Sequence, residues 1–148
     1  MASVETFSPA MLETYFRSRR LAYQRDADGD YRVAFAYDEE LGCALDCWFL
    51  IGGRDRQILA FRAVGLRPIP RSEFSRVIEL CNEWNRDRRW PKAYLYARAP
   101  DDPEGAIYLE ENIDLAPGIH QDLLDDWLDT MRSAAVEFWI WAHREKGL

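Results

Sequence analysis

The stretch from Cys81 to Leu95 (Cys-Asn-Glu-Trp-Asn-Arg-Asp-Arg-Arg-Trp-Pro-Lys-Ala-Tyr-Leu) most narrows what this chain can fold into. Phe74, Val77, Ile78, Cys81 and Trp84 recur at helical spacing and predict one apolar stripe. Pro91 must end that helix and push Trp90 toward extended geometry. Residues 93–97 then alternate as a strand. A helix that turns directly into a strand calls for a sheet with helices packed on it.

The remaining elements follow from the same two periods. Ser8 and Pro9 suit the N-cap and first position of a helix whose apolar face is Met11, Leu12, Tyr15 and Phe16. Asp26, Asp28 and Asp30 alternate like the start of a calcium loop. Tyr31 and Tyr37 stand where such a loop needs Gly and Glu, so a hairpin turn on Asp28-Gly29 is expected. Tyr31, Val33, Phe35 and Tyr37 alternate as one strand face. Cys43, Leu45, Cys47, Phe49 and Ile51 do the same in a second strand, with Ala44, Asp46, Trp48 and Leu50 opposite. Residues 57–64 make a third, and short turns between the three predict an antiparallel meander. A loop with Pro68 and Pro70 follows, and Ser72 is the expected cap of a helix over 72–89. Strands at 92–98 and 106–110 and a helix over 119–144 complete the chain. The predicted fold is a single α+β domain over 1–148 with core 8–142, in the order α-β-β-β-α-β-β-α.

Composition bounds the function. The net charge of -7 argues against general binding to nucleic acid, and the Arg86-Asp87-Arg88-Arg89 cluster suits a solvated helix end. Residues 1–6 lack a basic region followed by an apolar run, and no apolar run approaches the roughly 20 residues of a membrane span. Cys43, Cys47 and Cys81 are an odd set at apolar positions, as expected of reduced, buried thiols in a cytoplasmic protein. No metal or cofactor site is expected: Cys43 and Cys47 have no further Cys or His near them in sequence, and Gly52-Gly53 lacks the rest of a phosphate loop. His120 and His143 stand in no nucleophile–base pattern, so no catalytic residue is assigned.

Two apolar features ask for a cover. Trp48 and Leu50 share the strand face opposite Cys47; a helix of the same chain covers them, or a partner polypeptide does. Phe138, Trp139 and Trp141, with Val136 and Ile140, make the end of the last helix apolar around most of its circumference. That end either inserts deep in the core or forms a dimer interface.

The motif Asn82-x-Trp84-Asn85-Arg86-x-x-Arg89-Trp90-Pro91-Lys92-Ala93-Tyr94-Leu95 resembles the hallmark of the bacterial YbjN domain family. Tyr23-x-x-Asp26-x-Asp28-Gly29-Asp30-Tyr31 and Ile113-Asp114-Leu115-x-x-Gly118-Ile119 are similar to further family positions, and the resemblance spans residues 8–142. His120 departs from it, standing where Ser or Thr usually caps the last helix. The motif residues Asn82, Trp84, Asn85, Arg86, Trp90, Pro91 and Lys92 are expected to be structural, at a helix-to-strand junction. The resemblance implies a fold like that of the type III secretion chaperones, which are small, acidic, mostly homodimeric and bind extended protein segments. It therefore implies a non-enzymatic, chaperone-like or regulatory module that binds a protein or peptide segment. A dimeric scaffolding protein is the alternative, and a small-molecule sensor or enzyme a further one.

Overall fold

The computed structural model describes residues 3–148. Helix α1 (Pro9–Ser18) is followed by strands β1 (Gln24–Arg25), β2 (Tyr31–Asp38), β3 (Cys43–Gly52), β4 (Ile58–Gly65) and β5 (Ile69–Pro70). Then come a 3-10 turn (Arg71–Glu73), α2 (Phe74–Asp87), β6 (Lys92–Tyr96), β7 (Glu104–Asp114), α3 (Gln121–Ile140) and a closing π turn (Trp141–Glu145). The fold is thus the expected α+β domain, with two added strands of two residues each. The seven strands form one antiparallel sheet in the order β1-β2-β3-β4-β7, with β6 and β5 both pairing with β7.

One face of the sheet carries the core. Leu45, Cys47, Phe49 and Ile51 of β3, Leu59, Phe61 and Ala63 of β4, Ile107 and Leu109 of β7 and Ala93 of β6 are all buried. They meet Leu12, Tyr15 and Phe16 of α1, Val77, Leu80, Cys81 and Trp84 of α2, and Leu124, Leu128, Met131, Ala135, Phe138 and Trp139 of α3. All three cysteines are free and buried, and burial pushes each thiol up to about 12.

Several local expectations need correction. Ser8 is the N-cap residue of α1 with Pro9 after it, as expected, but its side chain makes no capping hydrogen bond, and the 3-10 turn displaces Ser72 from the cap of α2. Ile78 is 55% exposed; the buried stripe of α2 runs through Leu80 instead, completing the i, i+3, i+4, i+7 set with Val77, Cys81 and Trp84. Tyr37 is 65% exposed, because the β2–β3 register breaks between Phe35 and Asp38 and the alternation is lost there. His120 caps α3 in place of Ser or Thr: its Nδ1 accepts the Leu123 N–H at 3.1 Å.

Phe138 and Trp139 are fully buried within the chain, so of the two expectations for this helix end they follow insertion in the core, and their place as dimer-interface candidates is corrected. The Phe138 ring meets Trp84 edge-on at 5.2 Å, and Trp139 lies against Gly65 of β4, so both rings are enclosed by their own chain. Trp141 is half-buried, 5.6 Å from the Trp84 ring, with the Lys146 ammonium 5.4 Å above it. Gly118 has φ +90°, and a Cβ there would meet the Glu5 carbonyl at 2.8 Å; the Glu5–Ile119 bridge depends on a residue without one.

Candidate functional site

The strand register builds a surface on the sheet face away from the helices. Cross-strand pairing aligns Arg32 of β2 with Trp48 of β3, Trp48 with Arg62 of β4, Arg62 with Glu110 of β7, and Glu110 with Lys92 of β6. The neighbouring row runs Ala34, Asp46, Val64, Tyr108 and Tyr94. Leu50, Ala60 and Asn112 form a third. Side chains of a strand alternate between faces, so all of these point away from the core. Among the described residues no helix lies over them. Trp48 and Leu50 are half-buried, flanked by their neighbours in the sheet.

The charges on this face are unevenly matched. Arg32 pairs with Asp46 at 2.7 Å. Glu110, 8% exposed, is shared by two cations: Arg62 donates Nε–H to its Oε1, and Lys92 Nζ lies 3.6 Å from Oε2. Burial pulls the Glu110 pKa up, but the Arg62 hydrogen bond and the two positive charges outweigh it and hold it below its usual value. Tyr94 donates its hydroxyl to Glu110 Oε1 at 3.2 Å, and burial pushes that phenol up to about 12, so Tyr94 stays a donor. The Arg62 guanidinium lies over the Tyr108 ring at 5.6 Å, and Tyr96 stacks on Tyr108 at 4.8 Å. Two cations on one carboxylate leave a positive surplus beside an aromatic patch, in a chain whose net charge is -7. The sequence singled out none of Arg62, Tyr96 and Tyr108 as surface-forming residues. Their signal was the alternation itself: Arg62 lies between the inward-facing Phe61 and Ala63.

The hallmark motif lies at the edge of the same sheet. Trp84, 1% exposed, donates its indole N–H to the Pro91 carbonyl at 2.9 Å. Asn85 grips β6 with both ends of its amide: Nδ2 donates to the Ala93 carbonyl at 3.0 Å, and the Ala93 N–H donates to Oδ1 at 2.8 Å. The side chain of Asn85 occupies a place that a further strand would otherwise fill at this edge. Asn82 is exposed and Trp90 41% exposed, while Pro91 is buried. Among the described residues Arg86 bonds only the adjacent Asp87, through Nε and Nη2 at 2.8 Å each. Asn85→Ala is expected to cost about 1–2 kcal/mol. Asn85→Asp should cost as much, because its second oxygen would face the Ala93 carbonyl. Urea unfolding together with amide exchange at Ala93 checks this; protection at Ala93 as slow in both variants as in the wild type would refute the clamp.

Nothing among the described residues gathers three metal-ligating side chains, and no helix there is long and apolar enough to cross a membrane. A search of curated proteins finds no match. Solved structures do match. The crystal structure of YbjN from E. coli, described as "a putative transcription regulator", is 10% identical and covers 97% of this chain and 96% of its own, with a TM-score of 0.76. An uncharacterized protein from Methanothermobacter thermautotrophicus is 13% identical, covers 95% of this chain and 99% of its own, and has a TM-score of 0.50. At such identities the likeness is one of fold. The profile of the YbjN family, described as "Putative bacterial sensory transduction regulator", matches residues 8–143, nearly from end to end, and the chain belongs to that family.

Proposed function

We propose that this protein is a non-enzymatic regulatory module of the cytoplasm that acts by binding a segment of a partner protein on the open face of its sheet. The bareness of that face carries the reading: all three helices pack on one side, and among the described residues none lies over Trp48 and Leu50 on the other. The surplus charge of Arg62 and Lys92 around Glu110 suits an extended segment that alternates acidic and apolar residues. The same charge is too small to hold nucleic acid against the acidity of the whole chain, so regulation runs through protein contact. The description of the family as a sensory regulator agrees with such a module.

The test is capture from native lysate by wild type, Trp48→Asp and Ile78→Asp, each checked for folding by circular dichroism. Ile78 is exposed on α2 and serves as the control surface. The expected result is one protein retained by wild type and Ile78→Asp and lost by Trp48→Asp. Purified, that protein should bind Arg62→Glu at least about 30-fold more weakly, as for loss of a central anchor. Identical captures by wild type and Trp48→Asp would sink the proposal. So would a dimer in light scattering that Trp48→Asp dissolves, since a second copy would then cover the face.

A further inference from the structure

On the helix side of the sheet, β2 and α3 part and leave a cleft of about 690 Å3. The β2–β3 register breaks between Phe35 and Asp38, at the end of β2 that lines this cleft, and a strand commonly bends at such a break. Leu41, Leu45 and Cys47 are buried residues of its lining, and Phe35 and Val136 line it as well. The volume falls within the roughly 300–1,000 Å3 of small-molecule sites; the wall is apolar apart from Asp38, Asp129, Arg132 and Ser133, which also line it.

One cation is set into this apolar wall. The Arg132 guanidinium lies over the Phe35 ring at 5.4 Å and donates from Nη1 to the Tyr15 hydroxyl at 2.9 Å. The carboxylate nearest to it, Asp129, is 3.8 Å away and already engaged. Arg19 holds Asp129 through Nε at 3.1 Å and Nη2 at 2.7 Å, and the Tyr15 hydroxyl donates to it at 2.8 Å. Two guanidinium groups therefore share one carboxylate. Arg132 Nε is buried with no hydrogen-bond partner, and Nη2 bonds nothing among the described residues. Asp38 lies at the exposed rim, and its Oδ1 accepts the Glu40 N–H at 2.8 Å. The Cys47 thiol, pushed up to about 12 by burial, contributes packing and no nucleophile.

We propose that this cleft binds a small monocarboxylate with an apolar body, its carboxylate on Arg132 and its body against Phe35, Leu41, Leu45, Cys47 and Val136. A guanidinium with unmatched donors favours a carboxylate by a charge-assisted hydrogen bond, and the apolar walls reward a hydrocarbon body. Leu45 and Cys47 point to the face opposite Trp48, so the site is independent of the partner surface proposed above.

Calorimetric titration of the full chain with octanoate tests it, with octanol as the neutral control. A tripeptide Leu-Leu-Val and its C-terminal amide serve as the probe for a polypeptide end. Octanoate should bind at a single saturable site, about tenfold or more tighter than octanol. Arg132→Met should weaken it by the same factor. Because Arg132 also steadies Tyr15, Val136→Trp provides a second variant: Val136 is 39% exposed at the cleft, and an indole there fills the space. Trp48→Asp should bind octanoate like the wild type. The proposal is overturned if octanoate gives no saturable heat, if octanol binds equally well, or if folded Val136→Trp binds undiminished. Binding of the free tripeptide without binding of octanoate overturns the small-acid assignment in favour of a chain terminus.

Discussion

Trp84→Ala is expected to lower the unfolding free energy by about 3–5 kcal/mol for the lost ring, plus about 1–3 kcal/mol for the Pro91 carbonyl left without its donor. A small domain is stable by only about 5–15 kcal/mol, so this variant should be largely unfolded or close to it. The size of the effect follows from where the ring sits. Its stem belongs to α2, its ring centroid lies 5.2 Å from that of Phe138 of α3 and 5.6 Å from that of Trp141, and its N–H fixes the turn into β6. Trp84→Phe separates the two contributions: most of the contact area stays and only the hydrogen bond goes. Urea unfolding followed by circular dichroism should place it between wild type and Trp84→Ala. A loss below about 1 kcal/mol in Trp84→Ala would refute the idea that this ring ties α2, α3 and β6 together.

Gly65→Ala is the second severe change. A Cβ at position 65 would stand 2.0 Å from Cζ2 of Trp139 and 2.6 Å from Cε2. The indole cannot retreat, because Trp139 is fully buried in a close-packed core. The cost should be about 1–3 kcal/mol, at or above the upper end of that range for overpacking. The backbone of Gly65 is not left-handed, so the effect is one of space alone. Trp139→Phe should relieve it, because the smaller ring vacates the overlapping atoms. That substitution also removes Trp139 Nε1, which is buried without a partner. The double variant should be at least about 1 kcal/mol more stable than the sum of the single changes requires. Strict additivity in the double-mutant cycle would show that Gly65 and Trp139 do not compete for the same space.

Much of the scaffold was legible because local patterns are periodic. The alternation from Cys43 to Ile51 assigned every inward residue of β3 correctly, since period two has only one way to lie on a half-buried sheet. The same pattern failed at Tyr37, where a bulge resets the count. Helical spacing found α2 but included Ile78 and omitted Leu80, because a stripe is centred by what it packs against. The all-round apolar end of α3 signalled deep burial or an interface equally well, until Phe138 and Trp139 were seen enclosed by Trp84 and Gly65.

By itself the sequence determined the three helices and the five longer strands, their order, the inward face of β3 and the family, because these are written in spacings of two to four residues and in contiguous motifs. Only the tertiary structure decided which faces are covered. Arg62 and Glu110 are 48 residues apart, and Arg132 and Tyr15 are 117 apart, yet each pair shares a hydrogen bond that shapes a surface. The open row around Trp48 exists because α1, α2 and α3 all pack on one side of the sheet, and the cleft at Arg132 lies where the end of β2 meets α3. Both facts depend on how distant segments pack, which no local period records.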